Sequence, residues 1–303
     1  MKSTVSISLS HYEDAFANIR RALTHLQPLN LSNNDTVIIK INMCDARMPE
    51  TGAITHPLFL DAVLRYLRTH YENLNIFVVE SDATVVIADK FIQWFGYVPV
   101  LRKWNAGFIN LSRQKIVEKK IDGRYFKNIP VPEIFDKPNF FITLPKLKTN
   151  PLPTITCCLK NQFGCLPAPE KNIYHPHLDD VIADVNKAIR PDLCLVDGII
   201  AMGGTWGPAF GVPVRLNTII CSHDPVSVDA FGARLMGFSP WFIGHIRKSA
   251  VSGVGSMRYE LKGDTVPRVD FEINKLETFL VNKVGTFLRK RSRKQFRTAG
   301  GKS

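Results

Sequence analysis

Five short, unbroken apolar runs punctuate the chain: TVIIKIN (36–42), NIFVVES (75–81), NFFITLPKLK (139–148), DLCLVDG (192–198) and NTIICSHD (217–224). Each is rich in Val, Ile, Phe or Leu and stops at a polar cluster. A strand wet on one face alternates apolar and polar residues, whereas a strand covered on both faces reads as continuous apolarity. Between the runs, apolar residues recur at helical spacing over about 57–71, 178–189, 226–236 and 241–250, with a further helix at about 11–26 ahead of the first run. Buried strands alternating with helices predict an α/β fold, its largely parallel sheet carrying helices on both faces.

Two stretches read differently. Residues 108–135 alternate around Asp122-Gly123, a pair suited to a tight reversal, and predict an antiparallel hairpin insertion. A second strand pair is expected near 258–273, turning at Gly263-Asp264. No linker divides the chain, so residues 1–275 are expected to form one α/β domain, followed by a basic amphipathic tail at 276–303.

Charge changes the picture at that tail. The net charge is +12, but eight Lys and Arg residues lie between Lys283 and Lys302, with no acidic residue after Glu277; without them the body falls to +4. Leu276, Phe279, Leu280, Val284, Phe287 and Leu288 share helical spacing there, so the tail reads either as a docked helix with a solvated end or as a contact for an anionic membrane or nucleic acid. No apolar run reaches the roughly 20 residues of a membrane span. The first residues carry no apolar signal segment, and a cytoplasmic location is expected. The cysteines Cys44, Cys157, Cys158, Cys165, Cys194 and Cys221 form no CxxC pair, which argues against an iron–sulfur cluster in this chain.

Candidate chemistry clusters where the runs end. Lys40 and Asn42, Glu80 and Ser81, Lys146 and Lys148, Asp197 and Gly198, and His223 and Asp224 close the five runs in turn. Ligands of open parallel sheets bind outside the strands' carboxyl ends, so these groups are expected at one crevice. Polar strand ends are common to α/β proteins, but lysine is rarely buried, which singles out Lys40 and Lys146. Thr55 and His56 precede a helix opening at Pro57 and could cap it or face a ligand, with His56 a candidate acid/base group. Lys160 and Asn161 interrupt an apolar stretch. Lys160 reads as a neutralised amine, a ligand contact or a surface lysine with a buried stem. Five glycines between Gly198 and Gly211, including Gly203 and Gly204, suggest either a backbone nest for an anion or a flexible loop. Asp197, Asp224 and Asp229 are candidate oxygen ligands for a divalent metal, or caps and helix partners.

Taken together, IKIN with ITHP (39–57), LPKLKT (144–149), LKNQFGCLP (159–167), VDGIIAMGGTWGP (196–208) and HDPVSVDAFGARLMG (223–237) resemble the family catalogued as domain of unknown function 362, over about residues 36–265. The resemblance implies a cytosolic α/β domain, joined in some relatives to a ferredoxin-like iron–sulfur module for which this chain has no cysteines after Cys221. Relatives usually carry His where this chain has Asn150; His175 and His177 are candidates to replace it. The expected function is an enzyme binding a nucleotide-like or carboxylate anion, with His56, Glu80 and Lys160 catalytic, Lys40, Asn42, Thr55, Lys146, Lys148, Asn161, Gly203 and Gly204 binding, and no cofactor specified. A metal-linked redox accessory protein and a non-enzymatic binding protein are the alternatives.

Overall fold

The computed structural model describes residues 2–137, 139–168, 170–205, 207 and 210–273. The expected tail at 276–303 lies outside the described residues. Their element order is β1 (Ser3–Leu9), α1 (Ala15–Leu23), β2 (Thr36–Ile41), α2 (Pro57–His70), β3 (Asn75–Glu80), α3 (Ala88–Trp94), α4 (Tyr97–Lys103), β4 (Gly107–Asn110), β5 (Ile116–Lys120), β6 (Asn128–Pro132), β7 (Phe140–Leu144), β8 (Lys146–Asn150), β9 (Thr154–Thr156), α5 (Cys158–Gln162), α6 (Leu178–Ala188), β10 (Leu193–Gly203), β11 (Val212–Ser222), α7 (Pro225–Leu235), α8 (Gly244–Val251) and β12 (Tyr259–Gly263).

The main sheet runs β12-β1-β11-β10-β7-β2-β3-β4. From β10 through β7, β2 and β3 to β4 all pairings are parallel. β11 is antiparallel to both β10 and β1, and β12 joins β1 in parallel at the edge. The α/β expectation of a largely parallel sheet therefore holds. Alternate residues of each central strand feed opposite cores, because successive side chains leave a strand on opposite faces. Ile38, Cys194 and Val196 pack with α5 to α8, while Val37, Ile39, Leu193 and Leu195 pack with α1 to α4. Helices thus cover both faces, which is why these strands read as unbroken apolar runs.

Pro145 separates β7 from β8. Proline has no N–H for a ladder, and here its carbonyl accepts the amide of Asp197 at 3.0 Å. β8 then continues alongside β10, placing Lys146 level with Asp197. The expected insertion at 108–135 is shorter than its bounds: residues 108–110 belong to β4 of the main sheet, and the antiparallel pair is β5 with β6. Its Asp122-Gly123 does not form a tight two-residue turn; the strands are joined by residues 121–127, whose amides at Arg124, Tyr125 and Phe126 donate to the buried Asp184 carboxylate. The expected strand pair at 258–273 is one strand, β12. After it the chain returns across α7, the amides of Val269 and Phe271 donating to the carbonyls of Leu235 and Met236.

The glycine-rich stretch is only partly a loop. Residues 199–203 prolong β10 against the first residues of β11, as the two arms of one long hairpin, and the described residues of 204–211 carry no strand. Gly198 is needed for that close pairing: a Cβ there would lie 2.7 Å from the Thr218 carbonyl oxygen.

Candidate active site

A cavity of about 290 Å³ opens where β2 and β3 end, roofed by α5 and the turns that follow it. Lys40, at the end of β2, is 1% exposed. It pairs with Glu80, at the end of the adjacent β3, at 2.7 Å. A buried ion pair needs its remaining lone pairs satisfied, and this one has them. Glu80 Oε2 accepts the Met43 amide at 2.8 Å and Oε1 the Ser81 amide at 2.9 Å, while Lys40 Nζ also donates to the Ile41 carbonyl at 2.8 Å. Gly164 lets the turn after α5 close over this pair, since a Cβ there would sit 2.9 Å from Lys40 Nζ.

Asn161, projecting from α5, links the strand ends. Its amide nitrogen donates to Thr143 Oγ1 at 2.9 Å and to the Lys40 carbonyl at 3.2 Å, and its oxygen accepts from Asn42 Nδ2 at 3.0 Å. Lys148 Nζ donates to Asn42 Oδ1 at 2.6 Å and to the Ala53 carbonyl at 2.5 Å, and lies 3.0 Å from Cys44 Sγ. Lys171 Nζ reaches Ser81 Oγ and the Asp82 carbonyl, both at 2.9 Å. Lys160 has no such anchor. Its ammonium stands 4.2 Å above the Phe163 ring, and among the described residues no carboxylate or hydrogen-bond acceptor holds it.

Among the described lining residues, Lys40, Lys160 and Lys171 face one carboxylate, Glu80. Burial lowers Lys160 from the ordinary 10.5 to about 8; Lys148, Lys171 and Lys40 push the same way and Cys44 opposes them. Burial likewise lowers Lys171 to about 8, with Lys40 adding and Glu80 opposing. Both amines therefore titrate close to neutrality.

A second buried polar cluster lies beside the cavity without lining it. Lys146 and Asp197 are fully buried and 2.8 Å apart. The Tyr12 hydroxyl donates to Asp197 Oδ1 at 3.1 Å and accepts from Lys146 Nζ at 3.1 Å. The His56 amide donates to Asp197 Oδ2 at 2.9 Å, and the His56 ring stacks on Tyr12 with centroids 4.0 Å apart. His56 Nδ1 accepts the Leu58 amide at 3.2 Å, so His56 rather than Thr55 is the N-cap of α2. Burial lowers the His56 pKa, Lys146 adding and Asp197 opposing. Thr55 joins the two clusters: its hydroxyl accepts the Asn42 amide at 2.8 Å and donates to the Leu144 carbonyl at 2.6 Å.

Six residues expected at the strand ends or in the 160–161 pair thus line one cavity: Lys40, Asn42, Glu80, Ser81, Lys160 and Asn161. Lys148 braces its wall through Asn42 and Cys44. Lys146, Asp197, His56 and Thr55 belong to the adjoining cluster, so His56 is not positioned with Glu80 and Lys160 as a common acid/base set. The fifth run departs for a topological reason. β11 is antiparallel, so its carboxyl end lies level with the start of β10, where Ser222 pairs with Cys194. Asp224 therefore sits at the opposite end of the sheet, as the N-cap of α7, accepting the amides of Val226, Ser227 and Ser256 and the Ser3 hydroxyl.

Asp229, on α7, accepts the amides of Cys158 and Leu159 at 2.8 and 3.2 Å. With Asp197 held by Lys146 and Tyr12, the three aspartates share no cation site. A different trio does converge: ligand atoms of Cys157, Cys158 and Asp229 lie within 4.8 Å of one another, all buried. Burial pushes the Cys157 thiol up to about 12, and a cation there would compete with both amides that Asp229 holds. Gly203 and Gly204 do not line the cavity. Gly203 packs on Phe271 and Val214, and the Gly204 carbonyl accepts the Thr149 hydroxyl at 2.6 Å.

Cys44 and Lys171 line the cavity but escaped the sequence reading: Cys44 follows β2 in a stretch without regular structure, and Lys171 opens a 3-10 helix, Lys171–His177, too short for a periodicity to mark a facing direction. Of the two histidines expected as replacements at Asn150, His175 lines the cavity together with Asn150, and His177 is not among the lining residues.

A parallel-stranded α/β protein with a lysine-lined cavity at its strand ends is the class that fold and site define. The chain belongs to the family described as Domain of unknown function (DUF362), matched over residues 37–234. That span contains every lysine of both clusters and leaves out Tyr12. A thylakoid-associated protein of Synechocystis sp. is 27% identical over 241 residues, which is 76% of this chain and 73% of that protein. The lactate racemase apoprotein of Thermoanaerobacterium thermosaccharolyticum superposes with a TM-score of 0.44 at 13% identity, over 78% of this chain and 57% of that one; a likeness at that level carries no argument about chemistry. No helix among the described residues is long and apolar enough to cross a membrane.

Proposed function

We propose that the protein is an enzyme acting on a small organic anion, carboxylate or nucleotide-like, bound in the cavity at the ends of β2 and β3. One observation carries the reading: among the described lining residues three lysines face the cavity with a single carboxylate, and that carboxylate is already paired with one of them. A desolvated excess of positive charge is unfavourable until an anion enters. Lys160 and Lys171 supply the electrostatic hold, Asn42 and Asn161 fix the wall, and Glu80 keeps Lys40 in place. Mixed signs and amines that titrate near neutrality suit proton or group transfer better than simple storage.

The test is anion binding by the full chain, followed by native mass spectrometry and thermal shift with carboxylates and nucleotides. Binding should weaken as pH rises through about 8, where Lys160 and Lys171 lose their protons, and Lys160→Ala should weaken it further while leaving the fold intact. Affinity indifferent both to pH in that window and to Lys160→Ala would remove the support for this site.

A second reading concerns the outer surface. Trp241 and Phe242 are 59% and 89% exposed, and Trp241 lines a groove with Arg234, Tyr259, Leu261 and Arg268. Exposed aromatics beside arginines suit the boundary of an anionic bilayer. The basic sequence of residues 283–302 adds charge of the same sign, and a relative is thylakoid-associated. Membrane-surface association through this face is the reading those features support, independently of the cavity.

A further inference from the structure

The cavity holds amines in two different states. Lys40 is locked to Glu80 at 2.7 Å, and Lys171 to Ser81 Oγ and the Asp82 carbonyl. Lys148, behind the wall, is held by Asn42 and Ala53. These three already have oxygen acceptors. Lys160 alone of the four has none among the described residues; it is half-buried, rests on the Phe163 ring and faces the open volume.

We infer that Lys160 is a nucleophilic amine that forms an imine with the carbonyl carbon of a 2-oxo acid, whose carboxylate the neighbouring lysines hold. The inference rests on the anion-binding reading above and names the substrate class for that same cavity. Each part has a physical basis. A lysine is nucleophilic only when neutral, and desolvation beside other cations is the established way to make it so near neutral pH. The same cations that disfavour a proton on Lys160 favour a carboxylate next to it, so one arrangement both activates the amine and orients the electrophile. The volume of about 290 Å³ suits a small molecule.

The step balances. The neutral amine nitrogen attacks the carbonyl carbon and a C–N bond forms. The two amine hydrogens leave with the carbonyl oxygen as water, and the C–O bond breaks. The imine nitrogen then takes one proton from solvent and becomes a cation, which can accept electrons from the adjacent carbon. No oxidant, reductant or metal is required.

Borohydride trapping tests this directly. The full-length protein is incubated with pyruvate or 2-oxoglutarate, reduced with sodium borohydride, and examined by intact mass and peptide mapping. The expected result, at oxo-acid concentrations that keep the site saturated across the series, is a single reduced adduct on Lys160 whose yield rises with pH through about 8. It should be lost in Lys160→Arg, which keeps the positive charge, and in Lys160→Met, with thermal unfolding confirming that each variant is folded. Adduct that persists in both variants, or that spreads over surface lysines, overturns the inference. A parallel thermal-shift series uses lactate and 2-hydroxyglutarate, which carry the carboxylate without the carbonyl. If these bind while neither oxo acid is trapped on Lys160, the imine is wrong and the anion site stands; if nothing binds and nothing is trapped, both readings fall.

Discussion

Lys160 carries a charge where charge is disfavoured, and that has a measurable cost. Its pKa falls from 10.5 to about 8 on folding, so the unfolded chain holds the proton more tightly than the folded one. Between about pH 8 and 10.5 the unfolded state binds more protons, and stability from this group rises with pH; below 8 both states are protonated and the full penalty remains. Replacing the amine with an uncharged chain of similar length removes that penalty. Lys160→Met is therefore expected to raise unfolding free energy by about 1 kcal/mol at pH 7 and to weaken anion binding, with the stability gain fading between pH 8 and 10.5. Urea denaturation at pH 7 and pH 10.5 measures it, and a variant less stable than wild type at pH 7 contradicts the assignment. Asp197 gives the opposite case. Its carboxylate is wholly buried and receives Lys146, Tyr12 and the His56 amide. Asp197→Ala leaves the Lys146 ammonium without a counter-charge and should cost about 3–5 kcal/mol, whereas removing both charges in Lys146→Met with Asp197→Leu should recover much of that loss. Equal destabilisation by the single and double variants, in denaturant titrations, would show that the pair is not the source.

Strand direction decided which charges reached the cavity. Lys40 and Glu80 were legible from sequence because each ends an apolar run, and both runs are parallel neighbours. Asp224 ends a run of the same character, yet it sits at the other end of the sheet, because an unbroken apolar run does not reveal which way its strand points. The helices α2, α6, α7 and α8 fell close to their expected spans, having apolar stripes and, for α2 and α7, Pro at the first position. The short α3 and α4, joined through Gly96 at φ 79°, had too few turns for a stripe to stand out. Nor could the sequence show that the glycines after Asp197 would prolong a strand, since that depends on β11 lying alongside. The placement of Asp224 makes a prediction for its element. Asp224 caps α7 through two amides, and Gly255 leaves it room, as a Cβ there would lie 2.0 Å from Oδ1. Asp224→Ala should cost about 1–2 kcal/mol, the usual loss for a helix cap, and leave anion binding at the cavity unchanged. A loss of binding without a loss of stability would place Asp224 in the site after all.

Across the whole molecule, two separate proposals rest on positive charge, and salt distinguishes them. Inside the cavity, Lys40 and Lys171 are buried and Lys160 half-buried, so the proposed anion there would be screened little by mobile ions. Arg234 and Arg268 share a surface groove with the exposed Trp241, and the sequence of residues 283–302, outside the described residues, carries eight further cations. Surface charges act through solvent and lose reach as ionic strength rises, the screening length shrinking from about 10 Å at 0.1 M to about 3 Å at 1 M. Vesicles containing phosphatidylserine should therefore bind the full chain strongly at low salt and weakly at high salt, and neutral vesicles should bind it weakly throughout. Deleting residues 283–303 should remove most of the salt-dependent part, while Trp241→Ser with Phe242→Ser should reduce the part that persists at high salt, because burial of aromatic surface is not screened. Neither change should alter small-anion affinity, since neither replaces a described residue of the cavity. Co-sedimentation over a salt series reads the full chain and both variants at once. Full-chain binding that is indifferent to vesicle charge would dispose of the surface reading and leave the cavity untouched. Cavity affinity that falls with salt as steeply as vesicle binding would mean that the anion is held at the surface, outside the shelter of Lys40 and Glu80.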